Sequence, residues 1–203
     1  MPPENTNSVL VTRGADAVIF DPWGRADDWM TALSSRGLSL RAIYATHAHP
    51  DHISAAGELA MCYDVPWHVA AADKFLIGWG GEILDYFGLP RIAGTTPVPH
   101  DIAPGRHVIL GDINMDVYAA PGHTPGGVCY HFPDAGILLT GDTLFRDGVG
   151  RCDLPGGDAG RLRQSISDLR RVNFPDDTIT IHGHGDNSTI GELKKFNPYF
   201  IKA

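Results

Sequence analysis

Cysteine is scarce in this chain. There are three in 203 residues, Cys62, Cys129 and Cys152, far apart and without a CxxC pair. That excludes a disulfide framework and fits reduced thiols in a cytoplasm. Free cysteines are mostly buried structural groups; only Cys152, in a Gly-rich loop, stands where it could approach a site. Positive charge is also short. Sixteen Lys and Arg against 24 Asp and Glu leave a net charge of −8, whereas a nucleic-acid surface needs a basic face. Long apolar runs are missing: nothing approaches the roughly 20 residues that span a bilayer. The opening "MPPENTNS" has neither the basic stretch nor the apolar segment of a secretory signal. The expectation is a cytoplasmic protein with no membrane and no nucleic-acid partner.

What is present is ordinary for a folded domain: 43% hydrophobic and 20% charged residues. A chain of this length can bury roughly 70% of its unfolded surface. Strand-like runs alternate with turn signals. "SVLVT" (8–12) and "AVIF" (17–20) flank a turn at "RGAD", and "LRAIYA" (40–45) reads as a strand covered on both faces. Residues 26–36 carry Trp29, Met30 and Leu33 at helical spacing, and Ile53, Ala56, Leu59 and Ala60 mark another helix face. "VPWHVA" (65–70) is a further strand candidate. From 107 the pattern is β until the helix of 159–172, whose stripe is Leu162, Ile166, Leu169 and Val172. "TITI" (178–181) follows, and Thr189 with Glu192 has capping-box spacing. Two runs of strands, each followed by helices, predict a layered α/β architecture.

The chemistry sits at the ends of the apolar runs. "RAIYA" runs into "THAHPDH", "VYAAPG" into His123, "ILLTG" into Asp142 and "TITIHG" into His184. Strand ends are where binding sites gather in α/β folds. Five histidines (His47, His49, His52, His123, His184) and two aspartates (Asp51, Asp142) make seven donors. One shared carboxylate lets them fill the eight positions of two four-coordinate ions. Imidazole nitrogen and carboxylate oxygen both suit zinc, and a metal pair brings water to a pKa of about 7. Pro50 disfavours a helical conformation at His49 and suits a helix start, so Asp51 and His52 should occupy a first turn.

"HAHPDH" matches the HxHxDH signature of the metallo-β-lactamase fold superfamily, with His123, Asp142 and His184 at its later motifs. Through "PGHTPGG", "GDTLFRDGVGRCDLPGGD" and "GHGDNSTIGE" the chain resembles the short, single-domain branch of the glyoxalase II (hydroxyacylglutathione hydrolase-like) group. The resemblance implies a four-layer αββα sandwich of two mixed sheets flanked by helices. It implies one domain over 1–203, without the C-terminal glutathione-binding helical domain of full glyoxalase II. It implies two divalent ions, with zinc expected and iron or manganese as alternatives. One ion is held by His47, His49 and His123, the other by Asp51, His52 and His184, and Asp142 bridges them. Asp51 would also orient the attacking water-derived nucleophile, and Asp21 would support the metal loop from beneath. The implied reaction is thioester hydrolysis, as of S-lactoylglutathione, by a metal-bridging hydroxide.

Plainer readings compete. His182 contends with His184 for one ligand position. His68, His100, His107 and His131 have no motif context and read as surface or strand histidines. Arg151 either meets an anionic substrate or pairs with Asp153, since its fork suits both; it is carried as a substrate-binding residue. The aromatic stretch around Trp79 and Tyr86 reads as packing more than lid. Among functions, an iron-dependent persulfide dioxygenase of the same fold, using His47 or its neighbour with His123 and Asp142, is the main alternative. β-Lactam and phosphoester hydrolysis are the others, weakened by the missing export signal and the acidic charge.

Overall fold

The hairpin expected near the N-terminus forms: β1 (Val9–Arg13) pairs antiparallel with β2 (Asp16–Phe20). In the computed structural model residues 6–78 and 97–202 are described, and the chain separates into two compact units, Met1–Ile102 and Ala103–Ala203. Trp79 and Tyr86, and with them the question of a lid, lie outside the described residues.

In the first unit β2, β3 (Ser39–Tyr44), β4 (Trp67–Val69) and β5 (His100–Asp101) run parallel, so the five-stranded sheet is mixed. One face of β2, β3 and β4 buries Ala17, Ile19, Ile43, Trp67 and Val69 in a core completed by α1 (Ala26–Ser34) and α3 (Ala56–Tyr63). Leu33 and Leu59 seal it with no exposed surface, each contributing about 1.5–3 kcal/mol by burial. On the other face Phe20 stacks on Tyr44 with centroids 5.1 Å apart, and Tyr44 on His68 at 4.7 Å. Both faces are covered, as the unbroken apolar run of β3 anticipates.

The helix expected after the histidine motif is two short ones, α2 (Pro50–Ile53) and α3. The break has a tertiary cause. The Ala55 amide donates to the Pro22 carbonyl, and Ser54 Oγ accepts from the Gly24 amide, so the loop after β2 takes hydrogen bonds at the point where the helix would continue.

The second unit is a six-stranded mixed sheet in the order β11-β10-β9-β8-β7-β6. Its strands are β6 (Gly105–Ile109), β7 (Ile113–Ala119), β8 (Val128–Phe132), β9 (Ile137–Gly141), β10 (Ile179–His182) and β11 (Ser188–Thr189). β7 and β9 are both antiparallel to β8, and β10 is parallel to β9. The carboxyl ends of β7, β9 and β10 therefore share one edge. The helix α4 (Ala159–Arg171) lays Leu162, Ile166 and Leu169 against Ala120, Cys129, Leu138 and Phe174. Val172, counted in that stripe from sequence, falls past the last turn and is exposed. The capping box forms at α5 (Ile190–Phe196): Thr189 Oγ1 accepts from the Glu192 amide, and Glu192 Oε2 from the Thr189 amide. A short helix α6 (Pro198–Lys202) ends the described chain. The strands β5 and β11, two residues each, carry too little pattern to be read from sequence. His68, His100, His107 and His131 all lie in strands. Cys62 departs from the expectation of buried thiols, being exposed on α3; Cys129 is buried and its thiol pushed up to about 12 by that burial. Among the described residues no helix is long and apolar enough to cross a membrane.

Candidate metal centre

Three consecutive parallel strands of the first unit deliver polar groups at their carboxyl ends: Asp21 after β2, Thr46 to His52 after β3, and Asp73 after β4. His49 is the N-cap of α2 with φ −72° and ψ 147°, and Pro50 opens the helix, as the Pro rule requires. His47, His49 and His52 are all buried. His47 Nε2 stands 3.1 Å from His49 Nδ1, the His47 and His52 rings are 4.1 Å apart, and His52 Nε2 is 3.9 Å from Asp51 Oδ2.

Asp21 organises this bend from below. Its Oδ1 accepts the Thr46 amide at 2.6 Å, its Oδ2 accepts Thr46 Oγ1–H at 2.8 Å, and His52 Nδ1 lies 2.9 Å from Oδ2. Thr46 Oγ1 in turn lies 3.1 Å from His47 Nδ1. With Thr46 Oγ1 donating to Asp21, His47 Nδ1–H is left to donate to that hydroxyl, which leaves Nε2 as its lone-pair nitrogen, and His52 faces the same carboxylate with Nδ1. Such partners fix a ligand's tautomer and raise its basicity. Asp21 itself holds the left-handed conformation at φ 50°, which aspartate tolerates better than most residues.

In the second unit His123, Asp142 and His184 follow β7, β9 and β10 at the shared sheet edge. Asp142 Oδ2 is 3.5 Å from His123 Nε2 and 3.5 Å from His184 Nε2. His123 Nδ1–H donates to the Arg151 carbonyl at 2.7 Å, again leaving Nε2 as the lone-pair nitrogen. Two glycines make the packing possible. Gly122 has φ +138° and backs onto α4, where a Cβ would overlap the Leu162 backbone. A Cβ on Gly150 would overlap the Asp142 carbonyl and come within 2.8 Å of His123 Nδ1; the Gly150 amide donates to that same carbonyl at 2.9 Å. Asp158 caps α4 by accepting the Gly160 and Arg161 amides, and these bonds hold its carboxyl below the usual range. The buried Asn197 clamps the loop after Asp142, donating to the carbonyls of Phe145 and Gly148.

His182, the rival of His184, is structurally committed. Its Nδ1 lies 2.6 Å from the Leu144 carbonyl and its Nε2 2.9 Å from Ser188 Oγ. Burial pushes its pKa down to about 4, so it ties β10 to β11 and to the loop after β9 as a neutral ring. The Arg151 fork closes on Asp153 at 2.6 and 2.7 Å, which holds the Asp153 carboxyl down at about 2. Its main-chain carbonyl accepts from the candidate ligand His123. Cys152 is half-buried beside this loop, with its thiol raised by burial.

These donors suit metal ions. Two ligand atoms about 2.0–2.1 Å from one tetrahedral ion stand about 3.4 Å apart. The separations of 3.1 and 3.9 Å in the histidine bend, and of 3.5 Å twice around Asp142, cluster about that value. Asp73 is the polar group that reading the sequence missed: it is fully buried, and Oδ2 accepts the Ala48 amide at 3.1 Å. "AADKF" offers no motif to flag it.

Comparison with known proteins agrees with this chemistry. A model of the metallo-beta-lactamase superfamily matches residues 1–184. A hydroxyacylglutathione hydrolase (GloC) of Haemophilus influenzae is 36% identical over 187 residues, 91% of this chain and 87% of that protein. Among solved structures, the B3 metallo-beta-lactamase BLEG-1 superposes with a TM-score of 0.87 at 33% identity, covering 98% of this chain and 95% of its own. TTHA1623, crystallised in a di-iron-bound form, gives 0.85 at 30% identity, with 98% and 97% covered.

Proposed function

The chain belongs to the metallo-β-lactamase superfamily, and from that premise we propose that it is a dinuclear metallo-hydrolase of glyoxalase II type, cleaving a small-molecule thioester such as S-lactoylglutathione. In this reading His47, His49 and His123 would hold one divalent ion and Asp51, His52 and His184 the other, with Asp142 available to both. The observation that carries it is the Asp142 carboxylate, whose Oδ2 is equidistant from two imidazole nitrogens at a ligand-to-ligand spacing. The name of the Haemophilus relative supports the thioester, and the di-iron relative makes iron a metal to assay beside zinc and manganese.

A pair of divalent ions supplies Lewis acidity and a water acidified to a pKa of about 7. The protein's own part is positional. Asp51, half-buried and hydrogen-bonded by Thr6 Oγ1 at 3.5 Å, accepts a proton contact from the attacking water and aims it at the thioester carbonyl. The Arg151 carbonyl keeps His123 in the tautomer that presents Nε2, and Asp21 faces His52 Nδ1 from below. Water adds to the carbonyl, the C–S bond breaks, and a carboxylic acid and a thiol leave. Arg151 contributes cationic charge beside an anionic substrate.

The test is thiol release from S-lactoylglutathione by purified protein, with metal content measured on the same sample. Two metal equivalents and chelator-sensitive hydrolysis are expected, and Asp142→Ala should cost about 10²–10³-fold in rate and at least one equivalent. Full metal loading without cleavage of any acyl-glutathione would sink the thioesterase reading. Oxygen uptake on glutathione persulfide in its place would establish the dioxygenase alternative.

A further inference from the structure

Asp73 lies 25 residues from the histidine bend in sequence, on the 3-10 turn Ala71–Asp73 after β4, and its side chain is fully buried. A carboxyl group in that setting is costly unless hydrogen bonds compensate it. One compensation is specific: Oδ2 accepts the amide of Ala48, the residue between His47 and His49. The strand above is tied the same way, the Ala45 amide donating to the His68 carbonyl of β4 at 2.9 Å. The bend is thus held at two points by neighbouring parallel strands. Asp21 at the end of β2 grips Thr46 and His52, and Asp73 beyond β4 grips the peptide joining the first two histidines. Ala48 is itself without exposed surface, so this peptide has no solvent to replace a lost acceptor.

We propose that Asp73 is a positioning residue for metal binding: by holding the Ala48 amide it sets the backbone dihedrals between His47 and His49, and with them the 3.1 Å separation of His47 Nε2 and His49 Nδ1. The inference rests on the reading of this bend as a metal ligand set. It assigns the hydrogen bond, not the negative charge, as the working element. An amide at position 73 offers the same acceptor oxygen; an alanine offers none.

The test is titration of the chelator-stripped chain with cobalt(II), reading affinity and visible absorption band shape, alongside the thermal midpoint of the metal-free chain. Asp73→Ala should weaken the tightest equivalent by about 10–100-fold and alter the absorption spectrum, while Asp73→Asn should stay close to wild type in both. A merely structural role would lower the metal-free midpoint and leave affinity and spectrum in place, which overturns the proposal. Equal collapse of Asp73→Asn also overturns it, because the acceptor is then not what matters. If Asp73→Ala does not fold, Asp73→Leu fills the space without an acceptor and takes its place. A wild-type chain that binds no cobalt refutes the metal reading itself, an outcome distinct from tight binding that ignores Asp73.

Discussion

His52 Nδ1 lies 2.9 Å from Asp21 Oδ2, and both side chains are buried. The pair joins the first turn of α2 to the end of β2, so a histidine read as a ligand is oriented by a carboxylate 31 positions earlier. Asp21→Ala removes that acceptor and strands the Thr46 amide and hydroxyl as well. The expected result is a fall in metal affinity of about 10–100-fold, measured by competition with a chromophoric chelator. Asp21→Asn should lie between, since it keeps an oxygen and suits the left-handed backbone.

Gly150→Ala is expected to be as harmful as a ligand change, though glycine binds nothing. The added Cβ would meet the Asp142 carbonyl and the His123 ring together. Overpacking of this kind costs about 1–3 kcal/mol, a drop in thermal midpoint of roughly 2–4 °C for each kcal/mol. The metal content of the folded variant should fall with it. An unchanged midpoint would show that the loop moves aside freely.

Arg151→Ala separates side chain from main chain. The carbonyl that accepts from His123 survives the substitution, so metal loading should be unchanged. If the guanidinium meets an anionic substrate as proposed, KM rises with kcat nearly constant, the signature of lost uniform binding. Asp153→Ala, which frees the fork, should lower KM on the same assay. Identical kinetics in both variants would confine Arg151 to its ion pair.

The second unit should carry an acid-sensitive element away from the candidate metal ligands. Burial lowers the pKa of His131, against the opposing pull of Asp116, which Arg106 also engages. A histidine with a depressed folded pKa is neutral in the fold. Its contribution is complete above the unfolded value of about 6.5 and is lost as pH falls below that toward the folded value. Thermal midpoints across pH 5–7 should therefore drop more steeply for wild type than for His131→Gln. Parallel curves would assign the acid sensitivity elsewhere.

Much of the centre is legible without coordinates because ligand chemistry is local. "THAHPDH" announces itself by composition and by Pro50, whose ring disfavours helix behind it and begins helix ahead of it wherever the segment sits. The capping box at Thr189 and the apolar stripe of α4 are legible for the same reason. The helix after the motif is not, since its break at Ser54–Ala55 comes from hydrogen bonds to Pro22 and Gly24, some 30 residues away.

The sequence by itself determined which donors exist, at which strand ends, and which family they belong to. Only the tertiary structure decided how those donors are held. It turned His182 into a clamp through Leu144 and Ser188, closed the Arg151 fork on Asp153 while lending its carbonyl to His123, and brought Asp21 and Asp73 under the bend. The reason is physical. A ligand is recognisable from its own side chain, but its support depends on which strand lies beside it and in what register. That is set by the packing of whole sheets.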